Sequence, residues 1–126
     1  MNEGSRVLVV DDNVDTALGM QRLLKMMGQD VAIAHGGHEA LEVARGHGPA
    51  FVLLDIGLPG MDGYEVASRM RQEACCKHTV IVAISGYGQD EDRTRSKEAG
   101  IDHHLVKPVD QDAFLTLLSA GVDGRG

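Results

Sequence analysis

The sequence predicts an α/β fold in which five parallel strands form one open, doubly wound sheet. Short runs rich in Val, Ile and Leu alternate regularly with longer segments of helical character, and the links between them are short. The runs Arg6–Val10 and Val80–Ile84 are almost continuously apolar, as is typical of strands buried on both faces. Strands connected in this way run parallel through right-handed crossovers, so helices should cover both faces of the sheet.

Each element can be assigned from its own pattern. The predicted strands are Arg6–Val10, Val31–Ala34, Phe51–Leu54, Val80–Ile84 and His104–Val106. The predicted helices are Asp15–Met27, His38–Arg45, Tyr64–Glu73 and Glu91–Ala99, and a last helix follows Asp110 and runs through Leu118. The second strand is short and weakly apolar, so we expect it at the sheet edge. Gly28 should end the first helix, while Asp62 and Asp110 are candidate N-caps of the third and last helices.

Length and composition bound the class of protein. The 126 residues fit one domain, 1–126, with a core at about 6–118 and a Gly-rich, frayed tail at 119–126. The net charge of −7, from 19 acids and 12 bases, disfavours binding to nucleic acid or to an anionic membrane. No apolar run has the length of a membrane span, and the N-terminus does not have the pattern of a signal peptide. Cys75 and Cys76 are adjacent, which favours two free thiols and a cytoplasmic protein.

The residues that follow the strands form the candidate site. Asp11 and Asp12 follow the first strand, Asp55 the third, Ser85 the fourth and Lys107 the fifth. In a doubly wound sheet the functional crevice lies beyond the carboxyl ends of the strands, so these side chains should meet there. Three crowded carboxylates would repel one another unless a cation joined them. A carboxylate-rich oxygen site of this kind suits Mg²⁺.

The same residues suit phosphoryl transfer. An Asp carboxylate can act as a nucleophile and form an acyl phosphate. The reaction otherwise requires positioning and neutralisation of charge on the phosphoryl oxygens. The ammonium of Lys107 and the hydroxyl of Ser85 could both contribute to this, together with Mg²⁺.

Four segments resemble the signature motifs of the response-regulator receiver family. They are Val9–Asn13 (VVDDN), Leu54–Gly63 (LDIGLPGMDG), Ile84–Gly86 (ISG) and Val106–Pro108 (VKP). The resemblance extends from about Arg6 to Leu118. It implies a flavodoxin-like sheet with the strand order 2-1-3-4-5, an order for which a member of this family is a standard example.

The resemblance also implies specific roles in the acid site. Asp55 would be the phosphoacceptor. Asp12, Asp55 and the main-chain carbonyl of Gly57 would bind Mg²⁺ directly, and Asp11 would act mainly through a coordinated water. Ser85 would contact the phosphoryl oxygen and move with it.

The resemblance assigns further roles around the last strand and the loop after the fourth. Lys107 would form an ion pair at the acceptor site, and the peptide bond between Lys107 and Pro108 would be cis. His104 stands three positions before the lysine, where the family usually has Tyr or Phe. It could act as a rotating switch with pH sensitivity, or be an edge-strand histidine with no switching role. Tyr87 occupies a position that tunes hydrolysis of the acyl phosphate, and we expect its ring to prolong the phosphorylated state.

The favoured function is a phosphorelay switch rather than an enzyme. A histidine kinase or a histidine phosphotransfer protein would be the donor, docking near Val14 and Pro108, and an unidentified protein would receive the signal. An alternative is an aspartate-nucleophile phosphohydrolase, but such enzymes have D-x-D-x-T where this chain has Asp11-Asp12-Asn13. The other alternative, an interaction module independent of phosphorylation, would be expected to have a degenerate acceptor site.

Overall fold

The computed structural model describes residues 5–86, 93–107, 109 and 112–116. Five parallel strands form one sheet in the order β2-β1-β3-β4-β5. The strands are β1 (Arg6–Val10), β2 (Asp30–Ala34), β3 (Phe51–Asp55), β4 (Val80–Ser85) and β5 (His103–Val106). The predicted flavodoxin-like order is confirmed, with β2 at an edge and β3 in the middle.

The helices alternate with the strands as predicted, with small differences at their ends. They are α1 (Val14–Met26), α2 (Gly37–His47), α3 (Gly63–Arg71) and α4 (Arg93–Ala99), and residues 112–116 are also helical. The predicted α3 is too long, because the chain leaves the helix after Arg71 and forms a 3₁₀ turn at Ala74–Cys76. The predicted N-cap Asp110, the end of the last helix at Leu118 and the tail at 119–126 lie outside the described residues.

Apolar side chains fill the space on both faces of the sheet. In β1, Leu8 and Val10 pack on the face that α2 and α3 cover, whereas Val7 and Val9 pack on the face that α1 covers. This arrangement explains why the strand has no polar alternation. Within the described part of the chain, no helix has the length and apolar character needed to cross a membrane.

Two side-chain caps fix the chain at the carboxyl end of the sheet. Oδ1 of Asn13 accepts a hydrogen bond of 2.9 Å from the amide of Thr16 and begins α1 directly after the Asp pair. Oδ1 of Asp62 accepts one of 2.9 Å from the amide of Glu65 and begins α3, as predicted. Both helices therefore start at defined positions beside the candidate site.

Candidate functional site at the carboxyl end of the sheet

Three carboxylates converge where β1 and β3 end. One ligand atom each from Asp11, Asp12 and Asp55 lies within 4.8 Å of the other two. Asp11 is fully buried and Asp55 is 7% exposed, whereas Asp12 faces solvent. We call this cluster the acid pocket. It forms because β1 and β3 are parallel neighbours, paired from Val7 with Phe51 onwards.

Two of the carboxylates are held in the same way. Oδ1 of Asp11 accepts a hydrogen bond of 2.9 Å from the amide of Asn13, and Oδ1 of Asp55 accepts one of 2.9 Å from the amide of Gly57. Each carboxylate thus uses one oxygen to fix the turn after its own strand. The second oxygen of each, Oδ2, is directed towards the same ammonium group.

That ammonium belongs to Lys107, which directly follows β5. Its Nζ lies 3.0 Å from Oδ2 of Asp11 and 3.4 Å from Oδ2 of Asp55. Burial alone would lower the pKa of Lys107, but the hydrogen bond to Asp11 and the charges of both carboxylates outweigh burial and raise it. The amide of Lys107 also donates to the carbonyl of Ser85 over 2.9 Å, which ties the lysine to β4.

Ser85 is the last residue of β4 and is almost fully buried. In the sheet register it follows Ile84, the partner of Asp55, and pairs with Val106, the residue before Lys107. Ser85 therefore lies at the same end of the sheet as the acid pocket. Its strand, β4, lies between β3, which ends at Asp55, and β5, which Lys107 follows.

The acid pocket fits a divalent cation by its donor set. Oδ2 of Asp11 is buried and, among the described residues, has no well-aligned hydrogen bond besides its ion pair with Lys107. Carboxylate oxygens of this kind are the ligands that Mg²⁺ prefers, and the exposed Asp12 keeps the pocket open to water. The predicted carbonyl ligand, Gly57, is exposed at the rim.

His104, the candidate switch residue, links β5 to α4. Its Nδ1 lies 3.0 Å from Nη1 of Arg93, and its Nε2 lies 2.8 Å from Oγ of Ser96. A guanidinium only donates, so Nδ1 must accept, and the proton on Nε2 is donated to Ser96. The ring is half-buried, and Ser96 is buried. Tyr87 and Pro108, the other predicted tuning residues, lie outside the described residues.

Two contacts near the acid pocket were not predicted. His35 donates from Nδ1 to the carbonyl of Asp11 over 2.9 Å. Arg95 of α4 binds Oδ2 of Asp62 over 3.0 Å and lies 4.4 Å from the centre of the Tyr64 ring. The position of His35 directly after β2, the neighbour of β1, was the available signal for the first contact. No local pattern in the sequence indicated the second.

Comparisons with known proteins identify relatives of the whole fold. A model of the response regulator receiver domain matches residues 7–119. The transcriptional regulatory protein PrrA of Mycobacterium tuberculosis is 39% identical over 121 residues, which cover 96% of this chain and 51% of PrrA. The chain thus spans about half the length of that relative. Protein PilH of Pseudomonas aeruginosa is 28% identical, with 95% of this chain and 99% of PilH covered.

Solved structures agree with these relatives. The chemotaxis protein CheY4 of Vibrio cholerae superimposes with a TM-score of 0.86 at 26% identity, covering 93% of this chain and 98% of CheY4. A CheY-like receiver domain protein of Methanospirillum hungatei gives a TM-score of 0.87 at 26% identity, covering 98% and 97% of the two chains. The strand order, the converging strand ends and these matches together show that the chain belongs to the response regulator receiver domain family of two-component signalling.

Proposed function

We propose that this receiver domain is a phosphoacceptor switch in which Asp55 takes a phosphoryl group from a phosphohistidine donor. The observation that carries the proposal is the position of the Asp55 carboxylate. It is held through Oδ1 by the amide of Gly57, and Oδ2 lies 3.4 Å from the ammonium of Lys107. In the reaction an Asp55 oxygen bonds to phosphorus, the bond from phosphorus to the donor nitrogen breaks, and its electron pair returns to the imidazole.

The acid pocket would hold Mg²⁺ through Asp12, Asp55 and the carbonyl of Gly57, with Asp11 acting through a water. When bound, the ion would neutralise charge on the phosphoryl oxygens. The support for this assignment is the convergence of the three carboxylates within 4.8 Å and the buried Oδ2 atom of Asp11.

Lys107 and Ser85 would contact the phosphoryl group itself. The ammonium of Lys107 is shared between Asp11 and Asp55. Negative charge added to Asp55 would draw the ammonium towards the acceptor and away from Asp11. The Ser85 hydroxyl would donate a hydrogen bond to a phosphoryl oxygen and move with it.

His104 is the second part of the proposed switch. Its hydrogen bonds to Arg93 and Ser96 hold α4 against β5 in the unphosphorylated form. Movement of Ser85 would open space beside β5, and rotation of His104 into that space would release α4 from these bonds. Protonation of Nδ1 would end its acceptance from Arg93, so acid would weaken the same contact.

The donor would be a histidine kinase or a histidine phosphotransfer protein. Val14, at the start of α1, is 54% exposed beside the acid pocket and offers an apolar contact for a donor helix. The downstream protein that receives the signal would bind the surface formed by α4. We expect phosphoryl transfer from the donor to occur in the cytoplasm, where the free thiols of Cys75 and Cys76 would stay reduced.

Intact-mass analysis after incubation with acetyl phosphate and Mg²⁺ tests the proposal. Wild-type protein should gain one phosphoryl group, and Asp55→Asn should gain none. Asp30→Asn is the matched control, because Asp30 is an exposed acid at the start of β2, at the other end of the sheet. Equal labelling of wild type and Asp55→Asn would refute Asp55 as the acceptor.

The same samples separate the alternative functions. We propose that the domain assists only its own phosphorylation and dephosphorylation. Continuous release of phosphate from a range of phosphate esters would instead identify a phosphohydrolase. Absence of labelling by acetyl phosphate and by a phosphohistidine donor would leave an interaction module that acts without phosphorylation.

A further inference from the structure

The thiols of Cys75 and Cys76 converge in the 3₁₀ turn between α3 and β4. Their Sγ atoms are 3.5 Å apart. Consecutive side chains in a helical turn point in directions that differ by roughly 100–120°, so neighbouring residues do not normally face each other. The contact is therefore a specific feature of this turn. Cys75 is exposed and Cys76 is buried, so one thiol is accessible and the second lies directly beneath it.

The turn that carries the thiols is anchored on several sides. Nη1 of Arg71 donates to the carbonyl of Cys76 over 3.1 Å, and the amide of Cys76 donates to the carbonyl of Glu73 over 3.1 Å. Sγ of Cys75 lies 3.5 Å from the carbonyl oxygen of Ala44 in α2. These contacts fix the backbone and the direction of the exposed thiol, so the pair is arranged before any ligand arrives.

A direct disulfide would be strained in this arrangement. Consecutive Cα atoms across a trans peptide are about 3.8 Å apart, which is shorter than the roughly 4.4–6.8 Å that disulfides span. A single bridging atom fits better. With bonds to sulfur of about 2.3 Å, taken from zinc thiolates, a separation of 3.5 Å gives an angle of roughly 100° at the bridging atom. That angle suits a pyramidal or tetrahedral centre and is far from a linear one.

We propose that Cys75 and Cys76 form a two-thiol site for a trivalent thiophilic centre, of which a mono-organoarsenical is the simplest example. Such a centre needs only two thiols, whereas structural Zn²⁺ takes four ligands. Among the described residues, the cluster of three or more His, Cys, Asp or Glu ligands is the acid pocket, so the thiol pair has no ready third ligand.

The chemistry balances without an oxidant. An arsenoxide, R–As=O, reacts with two thiols to give R–As(SR)₂ and water. Two As–S bonds form, the arsenic–oxygen bond breaks, and the two thiol protons leave on the oxygen. Burial, together with the hydrogen bond to Cys75, raises the pKa of Cys76 to about 11. The exposed Cys75 therefore reacts first, and Cys76 closes the ring as a neutral thiol.

The thiol site is independent of the proposed function. The 3₁₀ turn precedes β4, so it lies at the amino end of the sheet. The six residues of β4, at about 3.3 Å each, separate it from Ser85 by roughly 20 Å. Occupation of the thiols should leave phosphorylation of Asp55 unchanged, and failure of one proposal does not affect the other.

Intact-mass analysis of the native protein with phenylarsine oxide tests the site. Wild type should bind one arsenical that resists excess monothiol and is removed by a 1,2-dithiol. Cys75→Ala and Cys76→Ala should each bind about 10²–10⁴-fold more weakly, because a single thiol lacks the effective concentration of the second. The Cys75→Ala variant changes an exposed residue, so its fold should be intact, and circular dichroism checks this.

Two outcomes would overturn the proposal. One is equally tight binding by either single variant, which would show that one thiol is enough. The other is binding by urea-unfolded wild type with none by the native form, which would show that the folded structure blocks access of the arsenical to the two thiols. Acetyl phosphate labelling of the arsenical-bound protein is the internal control for an intact acid pocket.

Discussion

The Nζ atom of Lys107 lies 3.0 Å from Oδ2 of Asp11, a carboxylate with no exposed surface. A buried carboxylate is costly unless a counter-charge accompanies it. The two residues are far apart in sequence, so the ion pair also joins the end of β1 to the end of β5. The pair therefore contributes to stability as well as to the proposed chemistry.

Removal of the ammonium should destabilise the fold. In Lys107→Met, the buried Asp11 loses its partner, and we expect the free energy of unfolding at pH 7 to fall by about 1–3 kcal/mol. The value lies below that of a fully buried pair because 28% of the Lys107 side chain is exposed. Urea denaturation measures the loss. Millimolar Mg²⁺ should restore part of it, and Lys77→Met, at an exposed lysine, should change little.

The same pair sets a dependence on alkaline pH. The pKa of Lys107 is raised in the folded state, since the hydrogen bond to Asp11 and the two carboxylate charges outweigh burial. Its contribution to stability is thus complete below the unfolded pKa of about 10.4 and is lost as the pH rises through the folded value. The stability difference between wild type and Lys107→Met should be constant from neutral pH to about pH 9 and shrink above pH 10.4. A difference that stayed constant to pH 12 would contradict the ion pair.

Substitutions of Asp62 separate two roles. Asp62→Asn keeps an N-cap for α3 but removes the charge that binds Arg95, so it should cost about 0.2–1 kcal/mol. Asp62→Ala removes both and should cost about 1 kcal/mol more. Burial pushes the pKa of Asp62 up, but the Glu65 amide and Arg95 lower it overall. The wild-type advantage over Asp62→Asn should therefore be present above the ordinary pKa and disappear as the pH falls through the lowered one. Thermal unfolding at pH 7 and pH 2 checks this, and an advantage at pH 2 as large as that at pH 7 would argue against the ion pair.

A double-mutant cycle tests His104 as a switch. His104→Phe and Ser96→Ala each remove the 2.8 Å hydrogen bond, and their coupling in the unphosphorylated protein should be about 1 kcal/mol. If phosphorylation releases His104 from α4, the coupling should fall towards zero when the cycle is repeated in acetyl phosphate and Mg²⁺. Equal coupling in both states would identify His104 as a structural residue of the β5 edge.

Two helical glycines should respond in opposite ways to alanine. A Cβ on Gly63 would meet the backbone of Ile56 and lie 2.9 Å from the carbonyl oxygen of Asp55, so Gly63→Ala should cost about 1–3 kcal/mol. A Cβ on Gly19, inside α1, meets nothing within 4 Å, so Gly19→Ala should add about 0.5–1 kcal/mol. Urea midpoints measure both. If Gly63→Ala were neutral, the close approach of α3 to the acceptor strand would be wrong.

The fold was predictable because each strand and helix has its own pattern in the sequence. The prediction ended β3 and β4 one residue early, at Leu54 and Ile84, because the apolar pattern stops there. The backbone ladder continues regardless of side-chain polarity: Asp55 and Ser85 are strand residues, and the amide of Ile56 still donates to Ile84 over 3.1 Å.

The contacts around the site were less predictable. The acid pocket follows from the rule that parallel strands end at one edge. The contact between His35 and the Asp11 carbonyl needs the strand order as well, because it depends on β2 lying beside β1. The contact of Arg95 with Asp62 spans 33 positions and depends on how α4 packs on α3, which no local pattern encodes.

The central position of β3 has a mechanical consequence for the acceptor. β3 is hydrogen-bonded to β1 on one side and to β4 on the other, so the main chain that bears Asp55 is held in place. A new substituent on Asp55 should therefore displace the side chains around the carboxyl end of the sheet rather than β3 itself.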